Sequence, residues 1–450
     1  MTVTTAPNPS ITLRPDLTDW LVLAERAIAR RPPAAVEFRA QLGVPASADR
    51  PVIMSGHQAE FWHPGILAKA FAAEHVASRA GTMACWVNVD QDSNEPCRVT
   101  YPALDARGTL TTAQWSFSDD LSSAADIPTG SRPPIARPAA GCPKPAATGS
   151  IASALASACA ALTRHAQAPT LAAQVTAAAF DLASPVLATP TIVSASRIAT
   201  SSLWARVIDR MDADPAACIE SYNRAVAAVP EARLSPLNAA RGELPLWRLA
   251  PGEPRGRITT ATLGRFERTQ LAPRALLMTG MLRHAACDLF VHGLGGEIYE
   301  RAAELWLRDW LGWDLAPMAL ATATLLLPLL AHDAPTEYET NRSRWQAHHA
   351  RHTPALLGDV WAQQRKLELV AEIRDAKSRG RDPAPLFDEM HRLLSRVRLE
   401  HEAALAQLAN HAHTLAGTLA SSRIAGDRTF AAALHEPSSL ARLRARITGS

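Results

Sequence analysis

The sequence predicts an α/β fold: a Rossmann-like parallel sheet core with helical insertions and a C-terminal antiparallel α-helical coiled-coil arm. Three observations carry this. "RPVIMSG", "PGILAKAFAAEHVASRAG" and "TMACWVNVD" run as strand, helix and strand; "CDLFVHGLGGEIYERAAELWLRDWLG" repeats a strand, a glycine-rich turn and an amphipathic helix; beyond residue 337 long charged stretches keep helical spacing. Two parallel strands joined by a covering helix begin a sheet whose ligands sit beyond the carboxyl ends of its strands.

Taken in order, residues 1–50 form a helical lead-in, clearest in "LTDWLVLAERAIARR". The core then spans residues 51–334. Its first helix has Pro64 in the first turn and Gly81 just past the end, the usual punctuation of a helix. An alanine-rich stretch around 140–185 inserts one or two small-residue helices after a proline-rich loop. Strand patterns resume with "TPTIVSAS", "RITTATL" and "CDLFVHG". Residues 335–415 form a helical hairpin broken at "SRGRDPAP", in which Met390, Leu393, Val397, Ala404 and Leu408 recur at three- and four-residue steps. Residues 416–450 form a tail that packs back on the core. The arm either joins two copies of the chain or folds onto its own domain.

Composition narrows the function. Hydrophobic residues make up 47% and charged ones 20% of the 450, the balance of a globular protein. With 46 basic and 43 acidic residues the net charge is +3, too small for a general grip on nucleic acid. The six cysteines, at 85, 97, 142, 159, 218 and 287, include no CxxC pair and are expected to be reduced. The N-terminus has no secretory pattern, so a cytoplasmic location is expected. The apolar run Leu315–Ala331 nears the minimum of about 17 residues for a membrane span. Two prolines interrupt it and Asp314 and Asp333 flank it, so a buried core segment is expected and no membrane partner.

Two loops carry chemistry. In "SGHQAEFWHPG" the strand ends near Met54 and the next helix begins near Pro64. Free N–H groups and the helix dipole there favour phosphate or carboxylate. Gly56 allows close backbone approach, Ser55 and Gln58 offer hydrogen bonds, and His57 and His63 suit acid–base work or charge stabilisation, unless one caps the helix and the other packs beside Trp62. The following strand brings Asp90, Gln91, Asp92 and Glu95 to the same edge, where carboxylates can hold magnesium or orient an amine, or simply cap turns. The second loop, "FVHGLGGEIYER", offers His292, Gly293, Gly295, Gly296 and Glu297 to a ligand, with Tyr299 and Arg301 more suited to packing. His348, His352, His411 and His413 fit a solvated helix face, since no cysteine or carboxylate pattern completes a zinc set.

The order of these motifs resembles the bacillithiol-biosynthesis cysteine-adding enzyme family, which has a T-G-Q-Q loop, an acidic E-D-H-D strand end and a G-G-P-x-E-x-x-Y turn. The resemblance covers most of the chain, except residues 105–255. It places Ser55, Gly56 and Gln58 at the loop's threonine, glycine and last glutamine, Lys69 at a helix lysine, Asp90 and Asp92 at the acidic strand end, and Gly293, Gly296, Glu297 and Tyr299 at the second turn. His57 replaces a glutamine, and "DQDS" lacks the family's histidine. The resemblance implies a ligase that joins the carboxyl of cysteine, or of another amino acid, to the amine of an aminosugar conjugate, with carboxyl activation by ATP and Mg. The paired histidines also resemble the nucleotidyl-transfer loops of HxGH-type enzymes. In that version His57, His63, Asp90 and Asp92 are catalytic, while Ser55, Gly56, Gln58, Lys69, Gln91, His292, Gly293, Gly295, Gly296, Glu297 and Tyr299 bind substrate or nucleotide. The alternative is a nucleotide-binding protein without ligase activity, whose arm serves assembly.

Overall fold

The computed structural model describes residues 8–45, 47–106, 108–118, 125–139, 144–329 and 334–449. Cys142, the first seven residues of the lead-in and the last two of the apolar run lie outside them. The chain divides into two units, the smaller built on Pro328–Gly426 and the larger on most of the remainder.

The larger unit is a mixed α/β structure. Its strands, in chain order, begin with β1 (Ser10–Arg14), β2 (Ile53–His57) and β3 (Cys85–Asn88). A separate pair, β4 (Arg98–Leu104) and β5 (Leu110–Ser116), precedes β6 (Thr191–Ser194). A three-stranded antiparallel sheet of β7 (Glu243–Arg248), β8 (Gly256–Thr259) and β9 (Leu271–Pro273) follows, then β10 (Leu289–His292) and β11 (Met318–Thr324). Six strands pair in the order β1-β11-β10-β2-β3-β6, all parallel except β1, which runs antiparallel to β11.

Helices cover both faces. The first are α1 (Leu17–Ile28), α2 (Ala35–Leu42) and α3 (Pro64–Arg79), followed by α4 (Gly149–Arg164), α5 (Leu171–Ala183), α6 (Ser202–Ala213) and α7 (Pro215–Ala228). Then come α8 (Ala275–Met281) and α9 (Leu294–Leu311). Alternate strand residues point to opposite sides. Met54, Cys85, Val87 and Phe290 pack with Trp306 of α9 and with α2, α6, α7 and α8. Ile53, Trp86, Leu289 and Val291 pack with Phe71 of α3, Phe180 of α5 and Trp20 of α1. With both faces buried, these strands begin as continuous apolar runs rather than alternating, as parallel strands should, and turn polar only towards their carboxyl ends.

The two crossovers fix where a ligand can sit. From β2 the chain passes through α3 to its neighbour β3; from β10, which pairs with β2 on the other side, it passes through α9 to β11. The connections leave the central pair in opposite directions, which opens a crevice at the carboxyl ends of β2 and β10.

Several expectations need correction. The lead-in is not wholly helical, because Ser10–Arg14 joins the sheet as β1. "RITTATL" supplies β8 of the small antiparallel sheet and not a strand of the main one. The apolar run is a buried core segment, as expected, and supplies β11, "MALATAT", whose alanines and threonines carry neither a helical nor a clean strand signature. Among the described residues no helix is long and apolar enough to cross a membrane.

The smaller unit contains α10 (Glu337–Ala350), α11 (Val360–Ser378), α12 (Ala384–Glu400) and α13 (Glu402–Ala425). α11 and α12 run antiparallel: Arg365 Nη2 donates to Glu389 Oε1 at 2.6 Å, Lys377 lies over Phe387, and Arg396 lies over Trp361. Leu369, Ala362, Leu393 and Val397 form their shared apolar seam. The sequence pattern running through Ala404 and Leu408 is broken at His401, and α13 continues to Ala425, so residues 416–425 belong to this unit rather than to the tail. In the larger unit, α14 (Pro437–Thr448) packs Leu440, Leu443 and Ile447 against the α3 layer. His348, His352, His411 and His413 are exposed. Among the described residues, no group of three His, Cys, Asp or Glu side chains is placed to hold a metal ion.

Candidate active site

The loop after β2 is shaped by its small residues. A Cβ on Gly56 would stand 2.5 Å from the carbonyl oxygen of Val87, so β2 and β3 can approach only because residue 56 has no side chain. Ser55 is fully buried, and its Oγ donates to the Val291 carbonyl at 2.8 Å, tying β2 to β10. His63 is the N-cap of α3: its Nδ1 accepts from Gly65 N at 3.0 Å, with Pro64 at the first helical position. An imidazole that accepts at Nδ1 is the neutral Nε2–H tautomer. Burial, with Arg428 and Lys69 nearby, holds its pKa down to about 4.

Lys69 is the centre of the crevice. It is 5% exposed, its Nζ donates to the Gly56 carbonyl at 2.6 Å, and it lies 5.3 Å from the centroid of the Trp86 ring. Burial draws its pKa down to about 7, against which Glu60 pulls upward. The Glu60 carboxyl is itself lifted by burial to about 7, despite the opposing pull of Lys69. His57 ends β2 with Nδ1 3.3 Å from Glu60 Oε1, close but out of line for a hydrogen bond, so that nitrogen has no partner. Burial and the Lys69 charge hold His57 down to about 3. Two groups poised near neutrality therefore sit beside two neutral imidazoles.

The second loop is built differently. His292 ends β10, 7% exposed, with Nε2 3.2 Å from Glu300 Oε1 but not aligned to bond it. Glu300 is fully buried and takes a 2.6 Å bond from Arg283 Nη1; Arg283 also pairs with Glu304 and donates to the Ala316 carbonyl. Although burial raises the Glu300 carboxyl, its close contact with His292 and the Arg283 charge outweigh this, leaving it at about 2. Gly293 caps α9. A Cβ on Gly296 would fall 2.3 Å from His292 Nδ1, whereas Gly295 faces open space. Glu297 turns to Arg14 at 3.2 Å, and the Tyr299 ring stands edge-on to His292. Arg301 pairs with Glu231.

The acidic strand end is occupied. Asp90 accepts from Ser196 N at 2.8 Å and Ser196 Oγ at 2.5 Å, and burial raises its pKa. Asp92 takes a 2.8 Å bond from Gln58 Nε2 and pairs with Arg255. Gln91 Nε2 donates to the Pro273 carbonyl at 2.6 Å, while its buried Oε1 has no partner. Beyond it lies a cavity of about 320 Å³, bordered by Gln91, Asp92, Trp247, Arg255 and Arg274. Both guanidinium groups lie over the Trp247 ring, at 4.8 and 4.4 Å. Gln58, Asp92 and Arg255 thus connect the crevice to this cavity.

The structure brings His57, His63, Lys69 and His292 around the crevice and spends Ser55, Asp90 and Asp92 on internal bonds. Sequence reasoning missed Glu60, Arg283, Glu300, Arg255, Arg274 and Arg428. Arg428 Nη2 donates to Thr322 Oγ1 and the Ala323 carbonyl, both at 3.0 Å, next to Gly65. Only Glu60 and Glu300 carried a local signal, each lying within a loop or helix already singled out; the arginines come from distant segments with no motif. The fold defines a mixed α/β protein with a crevice at the topological switch point of its sheet. No family model matches the sequence, and no curated protein matches it.

Proposed function

We propose that the chain is a carbon–nitrogen ligase of the bacillithiol-biosynthesis cysteine-adding type, with a Rossmann-like core and a coiled-coil arm, joining cysteine or another amino acid to an aminosugar-type amine. The observation that carries this reading is Lys69, buried at the switch point with a pKa drawn to about 7. Amide formation requires the incoming ammonium to lose a proton, and a proton acceptor works best when its pKa lies near the working pH. Lys69 and Glu60 meet that condition; His57 and His63, held near 3 and 4, stay neutral and serve as hydrogen-bond partners. The start of α3 and the Lys69 ammonium favour a carboxylate or phosphate at the crevice. The cavity beside Arg255 and Arg274 suits the other substrate.

ATP with Mg is the activating cofactor that the resemblance implies. The crevice fits an anionic group, but Asp90 and Asp92 do not fit a magnesium ion, because Ser196, Gln58 and Arg255 take up their oxygens. That occupancy favours the second reading, a nucleotide-binding protein without ligase activity. The exposed Val360, Trp361, Leu367 and Leu399 support a homodimer through the arm. The buried free thiols of Cys85, Cys97, Cys218 and Cys287 suit a reducing, cytoplasmic compartment.

The test is mass spectrometry of protein incubated with ATP, magnesium, amino acids including cysteine, and glucosaminyl-malate. A product heavier by one cysteinyl unit, absent with Lys69→Met, supports the ligase. Nucleotide binding without any product supports the second reading.

A further inference from the structure

The alanine- and serine-rich segment that the crevice does not use walls a second cavity, of about 350 Å³. This is within the range of about 300–1,000 Å³ typical of small-molecule sites. Ala154 and Ser157 of α4, Leu182 of α5, Phe61 and Trp62 before α3, and His435 before α14 line it. The lining is mainly apolar, with the α4 serines and Glu436 at its exposed rim. His435 is only 6% exposed, and its Nε2 has no hydrogen-bond partner. A buried polar atom left unbonded in a native fold costs on the order of 1–3 kcal/mol and calls for a partner.

We propose that this cavity is a binding site for an uncharged, largely apolar small molecule carrying one hydroxyl group, which bonds His435 Nε2. Burial holds the His435 imidazole down to about 4, so it is neutral at physiological pH and offers no charge to an anion. A hydroxyl both donates and accepts, and therefore satisfies Nε2 in either neutral tautomer. The aromatic faces of Phe61 and Trp62 supply the apolar contact. The cavity backs onto the crevice loop, because Trp62 Nε1 donates to the Gln58 carbonyl at 2.9 Å and the Trp62 carbonyl accepts from Ala432 N at 2.6 Å. The inference stands apart from the ligase reading, since it rests on none of the crevice groups.

The test uses 2-naphthol and naphthalene on the full chain. The expected result is saturable binding of one 2-naphthol per chain, followed by its fluorescence, with naphthalene at least tenfold weaker. His435→Phe should bring the two affinities together, and the partly exposed positions Ala154→Trp and Leu182→Trp should each reduce binding of both by tenfold or more. Circular dichroism of each variant separates loss of site from loss of fold. Absence of saturable 2-naphthol binding to the wild-type protein overturns the proposal, as does binding that neither filling substitution weakens.

Discussion

The loops after β2 and β10 look alike in sequence, each a strand ending in histidine, a glycine-bearing turn and a helix, yet they are held in opposite ways. Each leaves one ring nitrogen unpartnered beside a glutamate, His57 Nδ1 at Glu60 and His292 Nε2 at Glu300, but His57 remains partly exposed while His292 is sealed beneath Gly296 against the Glu300–Arg283 pair. The first loop leaves its imidazole partly open at the crevice. The second is a buttress that sets the far wall of the crevice. A histidine at a strand end therefore means different things according to how far its neighbours bury it.

The largest effect should come from the buttress. Glu300→Gln leaves Arg283 with part of its charge uncompensated in the core, and breaking such a pair from one side costs about 3–5 kcal/mol. Chemical denaturation should report that loss, and an unchanged midpoint would remove Glu300 as a structural group. Next, Gly296→Ala drives a methyl into His292 and should cost about 1–3 kcal/mol, whereas Gly295→Ala, facing open space, should be neutral or slightly stabilising. Equal effects at the two positions would contradict the packing of His292. By contrast, His57→Gln should change stability by less than about 1 kcal/mol, because it breaks no hydrogen bond made through the imidazole Nδ1. Its effect should appear in turnover instead.

Acid sharpens the same contrast. The folded pKa values of His57 and His63 lie below the usual 6.5, at about 3 and 4, so their contribution is present above 6.5 and is lost as pH falls through that interval. The folded pKa of Glu60 is raised to about 7, so its contribution is present below about 4.5 and is lost as pH rises to 7. Thermal unfolding followed from pH 7 to 4 should therefore fall more steeply in Glu60→Gln than in the wild type, and less steeply in His63→Asn. The smallest effect concerns the arm: light scattering should find that Val360→Glu weakens self-association with the core fold intact.

Much of this frame was legible in the sequence. β2, α3, β3, β10 and α9 announce themselves through apolar runs, Pro64 and glycine turns, and these elements place the crevice. β1 and β11 did not, because a five-residue edge strand and an alanine–threonine strand lack periodicity strong enough to read. At the site, His57, His63 and Lys69 could be singled out locally. The roles of Asp90 and Asp92 could not, since Ser196 and Arg255, which occupy their oxygens, lie more than a hundred residues away. Burial also inverted an expectation: the imidazoles that looked like acid–base groups are neutral, and the lysine and Glu60 hold the near-neutral pKa values.

A change of charge on Lys69 near neutrality, at the switch point, is directly measurable. The chain has four lysines, at 69, 144, 366 and 377, so carbon-13 labelling of the lysine ε position gives a countable spectrum. One signal should titrate with a midpoint near pH 7 and be missing from Lys69→Met. Four signals that all titrate near the ordinary value of about 10.4 would contradict it.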